Sequence, residues 1–404
     1  MRLAVIFESS PFDRKGLFNA VHNRVKHLLA TGECIVDVFC VHSRDNAFTR
    51  RVRHTPEVPS VNETVVDGIR YRLLWYRFSI LDNVLLEKLH VRPWLFRRFM
   101  DLHMDLLKGY DAVIAHSFCG GLFALAAHQR FGIPYYVTWH GSDVHTHPWR
   151  VPVIMEDTRA VMESARCNFF VSRALLEASE RITSNARKEV LYNGVSEDFV
   201  KYSPEDRAAV RERYGLAPED KVVAFVGNIV KVKNVLSLPD IFAQVAKGYD
   251  GPLKFWIVGD GKLKAQLETA CSESLTRHCE DRIPSRHCEE RSDVAIRFFG
   301  NQPSPAMPDI MNCIDVLVLP SLNEGLPLVC AEALACGAAV VGSDVGGIAE
   351  VIGSENVVPL DDSFVTGMAE KIVTFLNAKT PSQTLPAEIS WARTAKRELS
   401  FLKS

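Results

Sequence analysis

Two glutamates that stand eight positions apart, Glu324 and Glu332, mark the segment of this chain best suited to bind a ligand. A Gly-x-Pro sequence at residues 325–327 leads from the first glutamate into a short apolar run that contains the second. A proline at the start of such a run and a glycine just past its end, here Gly337, predict a short helix between two loops.

This helix would place three groups in an order that suits a nucleotide sugar. Its start offers free N–H groups and a partial positive charge, which favour a phosphate or a diphosphate. Glu332 would lie about 7–8 Å along the helix axis, where a carboxylate can accept hydrogen bonds from two ribose hydroxyls. Glu324 would lie on the other side of the phosphates, where a sugar would be. The alternative is an ordinary amphipathic helix with two solvated glutamates.

The flanking residues predict the elements that position this segment. Residues 314–321 form an apolar run that ends in Pro320 and Ser321, and residues 338–342 form a second apolar run. Both are typical of buried strands, so the pattern is strand, loop, helix and strand. The loop then lies at the carboxyl edge of a parallel sheet, where open α/β sheets bind their ligands.

The segment resembles the Glu-x7-Glu signature of the retaining glycosyltransferases of family 4. The flanks at residues 320–321, 333–337 and 346–350 fit that family as well. The resemblance implies an α/β chain with the GT-B fold, in which two Rossmann-like domains have parallel sheets that face each other across a cleft. It also implies that Glu324 contacts the donor sugar as a catalytic residue, that Glu332 binds the nucleotide ribose, and that Gly325 and Leu326 line the donor site.

Two histidines follow predicted strands of the first half. His140 belongs to a His-Gly-x-Asp sequence after an apolar strand, and the resemblance implies that it reaches the donor sugar as a catalytic residue. Without the family, a histidine satisfied within a turn is the alternative. Asp143 either orients His140 or caps the next helix. His116 is a weaker candidate, placed near the acceptor.

The loop after the first strand of the second half departs from the family pattern. The family has Gly-Arg and then a lysine five residues later, whereas this chain has Asn228 at the arginine position and Lys233 at the lysine position. By resemblance, Lys233 neutralises the leaving diphosphate without a metal ion, and both residues contact the donor. Lys231 could substitute for the missing arginine, and a merely solvated lysine is the alternative.

Three further residues are assigned to the donor site by resemblance. Gly16 lies in the first loop, where the family has a Gly-Gly pair that this chain lacks. Asn193 belongs to an Asn-Gly-Val sequence like the one between the domains of the family, although it could be an ordinary turn. Gly259 belongs to a Gly-Asp-Gly sequence that lies near the nucleotide base in the family.

The length of 404 residues is natural for two domains. We expect an acceptor-binding domain at residues 1–195 and a nucleotide-sugar-binding domain at residues 196–385. Residues 271–293 contain a near repeat and are interpreted as a surface insertion, whose two His-Cys pairs lack the usual spacing of zinc ligands. Residues 386–404 are expected to form a helix that packs back on the first domain, with Trp391 as its anchor.

Composition favours a cytoplasmic enzyme. The net charge of −2 gives no support to nucleic acid as a partner, and the cysteines lie mostly in apolar segments, as reduced core residues do. The first residues are strand-like and too short for a signal peptide, and no apolar run is long enough to span a membrane. Residues 84–100 mix aromatic side chains with arginines, so they form either a core helix or a peripheral contact with anionic lipid at the inner face of the plasma membrane.

These observations predict transfer of a sugar from a nucleotide-diphosphate sugar to an acceptor hydroxyl, with retention of configuration implied by the resemblance. The acceptor would be a saccharide or a lipid-linked molecule in the synthesis of cell-surface polysaccharide or glycolipid. No metal or other cofactor is expected, since the chain has no Asp-x-Asp sequence. The alternatives are a nucleotide-sugar epimerase of the same fold and a non-catalytic partner subunit. A dehydrogenase is disfavoured because the GxGxxG fingerprint is absent.

Overall fold

The computed structural model describes residues 1–12, 16–43, 61–76, 80–280, 296–378 and 383–404. The chain divides into two compact units, Met1–Gly194 together with Ser390–Ser404, and Val195–Ile389. Each unit contains a mainly parallel sheet with helices between its strands. The predicted α/β class with two Rossmann-like domains is therefore confirmed.

In the described part of the first unit, eight strands form one sheet. They are β1 (Arg2–Glu8), β2 (Ile35–Ser43), β3 (Glu63–Val66), β4 (Ile69–Tyr76), β5 (Ala112–His116), β6 (Tyr135–Trp139), β7 (Cys167–Phe170) and β8 (Lys188–Val190). Their order is β3-β4-β2-β1-β5-β6-β7-β8, and the only antiparallel pair among them is the β3–β4 hairpin. The residues of β1 between its two ends are fully buried, as expected for a central strand that is covered on both faces.

Eight helices accompany this sheet in the described residues before Gly194. They are α1 (Gly16–Ala30), α2 (Ile80–Glu87), α3 (Trp94–His103), α4 (Ser117–Phe131), α5 (Ser142–His145), α6 (His147–Arg150), α7 (Pro152–Ser164) and α8 (Arg173–Ser179), with a 3-10 turn at Met104–Leu107. α1 packs its apolar face on the sheet, where Phe18 meets Phe7 and Tyr71 in an aromatic cluster.

The described part of the second unit has a six-stranded parallel sheet. Its strands are β9 (Lys221–Val226), β10 (Leu253–Val258), β11 (Ile296–Gly300), β12 (Val316–Leu319), β13 (Ala339–Ser343) and β14 (Val357–Val358), in the order β11-β10-β9-β12-β13-β14. Its helices are α9 (Pro204–Arg213), α10 (Leu238–Gly248), α11 (Lys264–Glu280), α12 (Met307–Cys313), α13 (Leu328–Ala335), α14 (Ile348–Ile352) and α15 (Phe364–Asn377). Short 3-10 turns lie at Lys231–Lys233, Val235–Ser237, Ser304–Ala306 and Ser354–Asn356.

The segment interpreted as an insertion begins inside α11, which is helical as far as Glu280. Residues 281–293 of that segment lie outside the described residues, as does the second His-Cys pair.

The last helix, α16 (Trp391–Lys403), belongs to the first unit and packs against α1. Trp391 is 2% exposed. Gly194 lies directly against it, since a Cβ on this glycine would come within 2.0 Å of the Trp391 backbone nitrogen. The hydroxyl of Thr394 donates a hydrogen bond to the carbonyl of Tyr192 at 2.6 Å. The end of the chain is thus fixed to the segment that closes the first half.

Candidate active site

The carboxyl edge of the second sheet holds Glu324 in a network of hydrogen bonds. The loop of residues 320–327 joins β12 to α13. Lys233 Nζ lies 2.5 Å from Glu324 Oε1, and Ser321 Oγ donates to the same oxygen at 2.7 Å. The side chains of Lys233 and Glu324 are 20% and 11% exposed, so the ion pair is largely shielded from water. The structure thus brings together two of the predicted site residues.

Ser321 is a functional residue that the sequence did not single out beyond its place in the motif. Its side chain is buried, and its carbonyl oxygen accepts a hydrogen bond from Ser343 Oγ at 2.5 Å. A serine three positions before a glutamate in a loop is the signal that could have revealed the contact, because short polar side chains bond to nearby groups at this spacing. Through its hydrogen bond, Ser321 therefore helps to orient the Glu324 carboxylate.

A two-glycine turn supports the same loop from the other side. The N–H of Gly347 donates to the carbonyl of Gly325 at 3.0 Å. Gly346 has a φ of +53°, and a Cβ there would lie 2.0 Å from the carbonyl oxygen of Glu324. Only glycine fits both the backbone conformation and this close approach.

We expect Gly346→Ala to lower kcat/KM for the donor at least about tenfold, because the added methyl must displace the backbone of Glu324. Steady-state kinetics with a nucleotide sugar would measure the loss. Gly215→Ala is the matched control, since Gly215 has a φ of +77° and open space around its Cβ position. Equal losses in the two variants would mean that backbone strain alone, rather than displacement of Glu324, explains the effect.

Glu332 lies on the fifth position of α13 and is half-buried. Burial raises the pKa of its carboxyl group to about 7. No side chain of the described residues is hydrogen-bonded to this carboxyl group. A carboxylate with free acceptor capacity can bind the two hydroxyls of a ribose, and this role of Glu332 stays a prediction.

The raised pKa of Glu332 predicts a pH-dependent donor affinity. Below about pH 7 the carboxyl group becomes protonated and loses its charge, while hydroxyl donors of a ribose favour the ionised form. The KM for a nucleotide sugar should therefore rise roughly tenfold between about pH 8 and about pH 6. A nucleotide sugar suits the measurement because its esterified diphosphate does not titrate in this range. Glu332→Gln should have a higher KM at about pH 8 and little change with pH, and an unchanged slope would contradict the assignment.

The loop after β9 carries one shielded cation. Lys231 and Asn228 are exposed, whereas Lys233 is half-buried and paired with Glu324. The neutral side chain of Asn228 cannot supply the positive charge that the family has at this position.

The glycine at position 259 is explained by packing, because a Cβ there would lie 2.0 Å from the carbonyl oxygen of Gly227. Its role in donor binding, like those of Asn228, Gly325 and Leu326, stays a prediction.

In the first unit, the two predicted histidines form a pair at the ends of neighbouring strands. His116 Nδ1 and His140 Nε2 are 3.0 Å apart. Burial lowers the pKa of His140 to about 3 and holds the pKa of His116 well below its usual range. Both rings are therefore neutral at pH 7, and one nitrogen of the pair donates to the other.

The surroundings of the histidine pair separate their roles. His116 is 1% exposed, so its position favours orienting His140 over direct contact with an acceptor. Asp143 fixes the main chain, because its carboxylate accepts hydrogen bonds from the N–H groups of His140 and Gly141, the shortest at 2.8 Å. Asp143 was expected either to orient His140 or to cap the next helix. These contacts show that it orients the backbone of His140.

Asn193 and Gly16 of the first unit were also predicted to contact the donor. Asn193 is 5% exposed, and its side-chain oxygen has no hydrogen-bond partner within the described residues. Buried side-chain acceptors without a partner are uncommon in proteins. Gly16 begins α1 and has open space at its Cβ position, so the fold does not require glycine there. The donor contacts proposed for both residues stay predictions.

Comparison with known proteins identifies the family. The model described as "Glycosyl transferases group 1" matches residues 220–378, and the model described as "Glycosyl transferase 4-like domain" matches residues 16–194. TuaC of Bacillus subtilis (strain 168), named for a glycosyltransferase of teichuronic acid biosynthesis, is 27% identical over 275 residues, which are 68% of this chain and 62% of TuaC. The match thus spans less than two thirds of that relative.

Solved structures share the fold over nearly the whole chain. Sucrose-phosphate synthase from Thermosynechococcus elongatus has a TM-score of 0.67 at 18% identity, with 100% of this chain and 94% of that chain covered. Anabaena HepE in complex with UDP has a TM-score of 0.65 at 17% identity, with coverage of 99% and 95%. The predicted GT-B fold is confirmed by these neighbours. With both halves matched by their models, the chain belongs to the group 1 glycosyltransferases of the family 4 type.

Proposed function

We propose that this protein transfers a sugar from a nucleotide-diphosphate donor to a hydroxyl group of an acceptor. The observation that carries the proposal is the ion pair between Lys233 and Glu324, set beside the N-terminus of α13 with Glu332 farther along the helix. A diphosphate would bind the free N–H groups at the helix start, with the ribose on Glu332 and the sugar near Glu324.

The chemistry follows from where charge develops. As the bond to the sugar breaks, negative charge grows on the leaving diphosphate, and Lys233 and the helix N-terminus are fixed positive groups aimed at it. A separate metal ion is then not needed. His140 is neutral at pH 7, and its catalytic role stays a prediction. Retention of configuration is part of the proposal, supported by the Glu-x7-Glu motif that retaining enzymes of the family share.

A nucleotide-sugar screen tests this function. The protein is mixed with uridine, guanosine and adenosine diphosphate sugars, each with and without a panel of saccharide and lipid-linked acceptors. Acceptor-dependent release of nucleotide diphosphate, unchanged by a chelator, is the expected result, and the anomeric configuration of the product reports retention. The uridine series is tried first because HepE, which has a similar fold, was solved in complex with UDP.

Two outcomes of this screen would favour the other functions considered. Conversion of the donor without any acceptor would indicate an epimerase. Failure to bind any nucleotide diphosphate in thermal-shift measurements would indicate a non-catalytic partner subunit and would contradict the proposal.

We also propose that the acceptor is used at a membrane surface, in cell-surface polysaccharide or glycolipid synthesis. The segment from α2 through the 3-10 turn after α3 exposes large apolar side chains, namely Val84, Leu89, Val91, Trp94, Leu95, Leu102 and Leu106. Arg97 and Arg98 of α3 are exposed among them. Apolar side chains interleaved with arginines suit the interface of an anionic bilayer. Among the described helices, none has both the length and the apolar character needed to cross a membrane.

Vesicle binding tests the membrane proposal. We expect the protein to sediment with vesicles that contain anionic lipid and to stay in solution with neutral ones. The Arg97→Glu/Arg98→Glu double variant should lose this binding, because it reverses two charges at the apolar surface. A matched double variant, Arg70→Glu/Arg150→Glu, changes two exposed arginines outside the segment and should sediment normally. Absence of sedimentation of the unaltered protein would end the proposal.

A further inference from the structure

Glu8 lies at the point of the first sheet where ligands of α/β proteins bind. It is the last residue of β1, which pairs with β2 on one side and β5 on the other. On one side of β1 the sheet continues through β2, β4 and β3, and on the other it continues through β5 to β8, so the strand order reverses between β1 and β5. Open α/β sheets bind ligands at this switch point. The Phe7 position beside Glu8 is in register with His116, the last residue of β5.

Glu8 is exposed to solvent at the end of β1. The protein around its carboxyl group nevertheless removes part of the hydration and so raises the pKa. Cys119, in the first turn of α4, lies close enough to this carboxyl group to lower its pKa slightly. No lysine or arginine of the described residues forms an ion pair with it, and it caps no described helix.

The backbone beside Glu8 is strained and tightly packed. Ser117 follows His116 with a φ of +63°, which is uncommon for a residue other than glycine. Gly120 lies so close to β1 that a Cβ there would be 2.4 Å from the carbonyl oxygen of Ile6. This strain is held in place by the packing of α4 on β1, and such strain concentrates at ligand sites. The backbone of α4 is therefore closely packed against β1 just before Glu8.

The charge of Glu8 restricts what can bind beside it. A second carboxylate, Asp82, lies near enough that both acidic groups contribute to raising the pKa of Tyr76. A carboxyl group accepts hydrogen bonds from hydroxyls and pairs with an ammonium group, whereas it repels a phosphate or a carboxylate. Arg24, whose charge acts on His116, is already engaged by Glu398 through two hydrogen bonds.

We infer that Glu8 is an acceptor-binding residue that selects acceptors with hydroxyl or ammonium groups over phosphorylated or carboxylated ones. The ligand is called an acceptor only because of the proposed glycosyl transfer. Its binding beside Glu8 can be measured without any sugar transfer. It assigns the specificity of the first unit to a residue outside the motifs identified in the sequence.

The test measures equilibrium binding, by calorimetry or saturation-transfer NMR, in the presence of the nucleotide diphosphate. The probes are neutral methyl glycosides and disaccharides, an aminocyclitol, and sugar phosphates. The unaltered protein should bind one of the first two classes at least about tenfold more tightly than the sugar phosphates. Glu8→Ala should weaken that binding about tenfold or more, and Glu8→Gln should reduce the discrimination against sugar phosphates by a similar factor.

The discrimination ratio separates a binding role from a purely structural one, since misfolding would weaken all probes alike. Glu177→Gln, an exposed glutamate on α8, is the control and should keep the ratio. Tightest binding of sugar phosphates, no binding of the neutral and amine-bearing probes, or a ratio unchanged in both Glu8 variants would overturn the inference. Binding with the expected ratio but without sugar transfer would instead contradict the proposed function alone.

Discussion

Lys233→Ala should lower kcat by about 100-fold to 1,000-fold, the cost of removing one preorganised group that stabilises developing charge. Lys233 is the ion-pair partner of Glu324 at 2.5 Å, and in the proposed function it is also a cation that binds the diphosphate. Its loss removes positive charge from the leaving diphosphate and leaves a largely buried carboxylate without its partner. Initial rates of nucleotide diphosphate release at saturating donor would measure the effect.

Lys231→Ala is the matched control, because Lys231 is an exposed lysine in the same turn. We expect its kcat to stay within about threefold of the unaltered enzyme, as is typical of an exposed charge. A large loss in Lys231→Ala with a small one in Lys233→Ala would reverse the assignment and give Lys231 the role of the missing arginine. Losses in both would indicate that two lysines share the diphosphate charge.

The double variant Lys233→Ala/Glu324→Gln distinguishes the two roles of Lys233. If the ion pair mainly orients Glu324, the double variant should be little worse than either single one, because residues that act as a unit lose their contribution together. If Lys233 acts mainly on the diphosphate, the losses should multiply. The circular dichroism spectrum and thermal midpoint of each variant would confirm that the fold is intact.

The fold class was predictable because buried strands of a parallel sheet are nearly continuous apolar runs. β1 and β9 coincide with such apolar runs. α13 ends at Ala335, shortly before Gly337, as the helix signals predict. Boundaries were less accurate. The predicted strand at residues 314–321 is shortened to Val316–Leu319, because Ile314 is still bonded to the end of α12 and Pro320 cannot donate to a strand neighbour.

The contacts within the site could not be predicted in the same way, since they join residues far apart in sequence. Lys233 and Glu324 were each assigned through a family motif, but their direct ion pair spans 91 positions. The pairing of His116 with His140 depends on two neighbouring strands ending at the same level, which sequence periodicity does not fix. Glu8 carried no motif at all, and only the sheet order shows that it lies at the switch point.

A buried ion pair between α1 and α16 leads to the second large prediction. Arg24 on α1 and Glu398 on α16 form two hydrogen bonds of 2.7 Å, and their side chains are 1% and 0% exposed. Removing one partner of such a pair leaves an uncompensated buried charge. Glu398→Gln should therefore lower the free energy of unfolding of the first unit by about 3–5 kcal/mol. Urea denaturation followed by tryptophan fluorescence would measure this change, with Trp391 of α16 buried at the same interface.

Two control variants test whether the buried charge itself causes the loss. Arg397, on the same helix as Glu398, forms an ion pair at the surface with Glu189 of β8. Arg397→Ala removes this pair and should lower the free energy of unfolding by less than about 1 kcal/mol. Arg24→Met/Glu398→Leu replaces both charges with apolar side chains and should recover most of the stability that Glu398→Gln loses, because desolvation of the pair offsets much of its attraction. If the double variant is as unstable as the single one, the two hydrogen bonds, rather than charge compensation, hold α16 on the first unit.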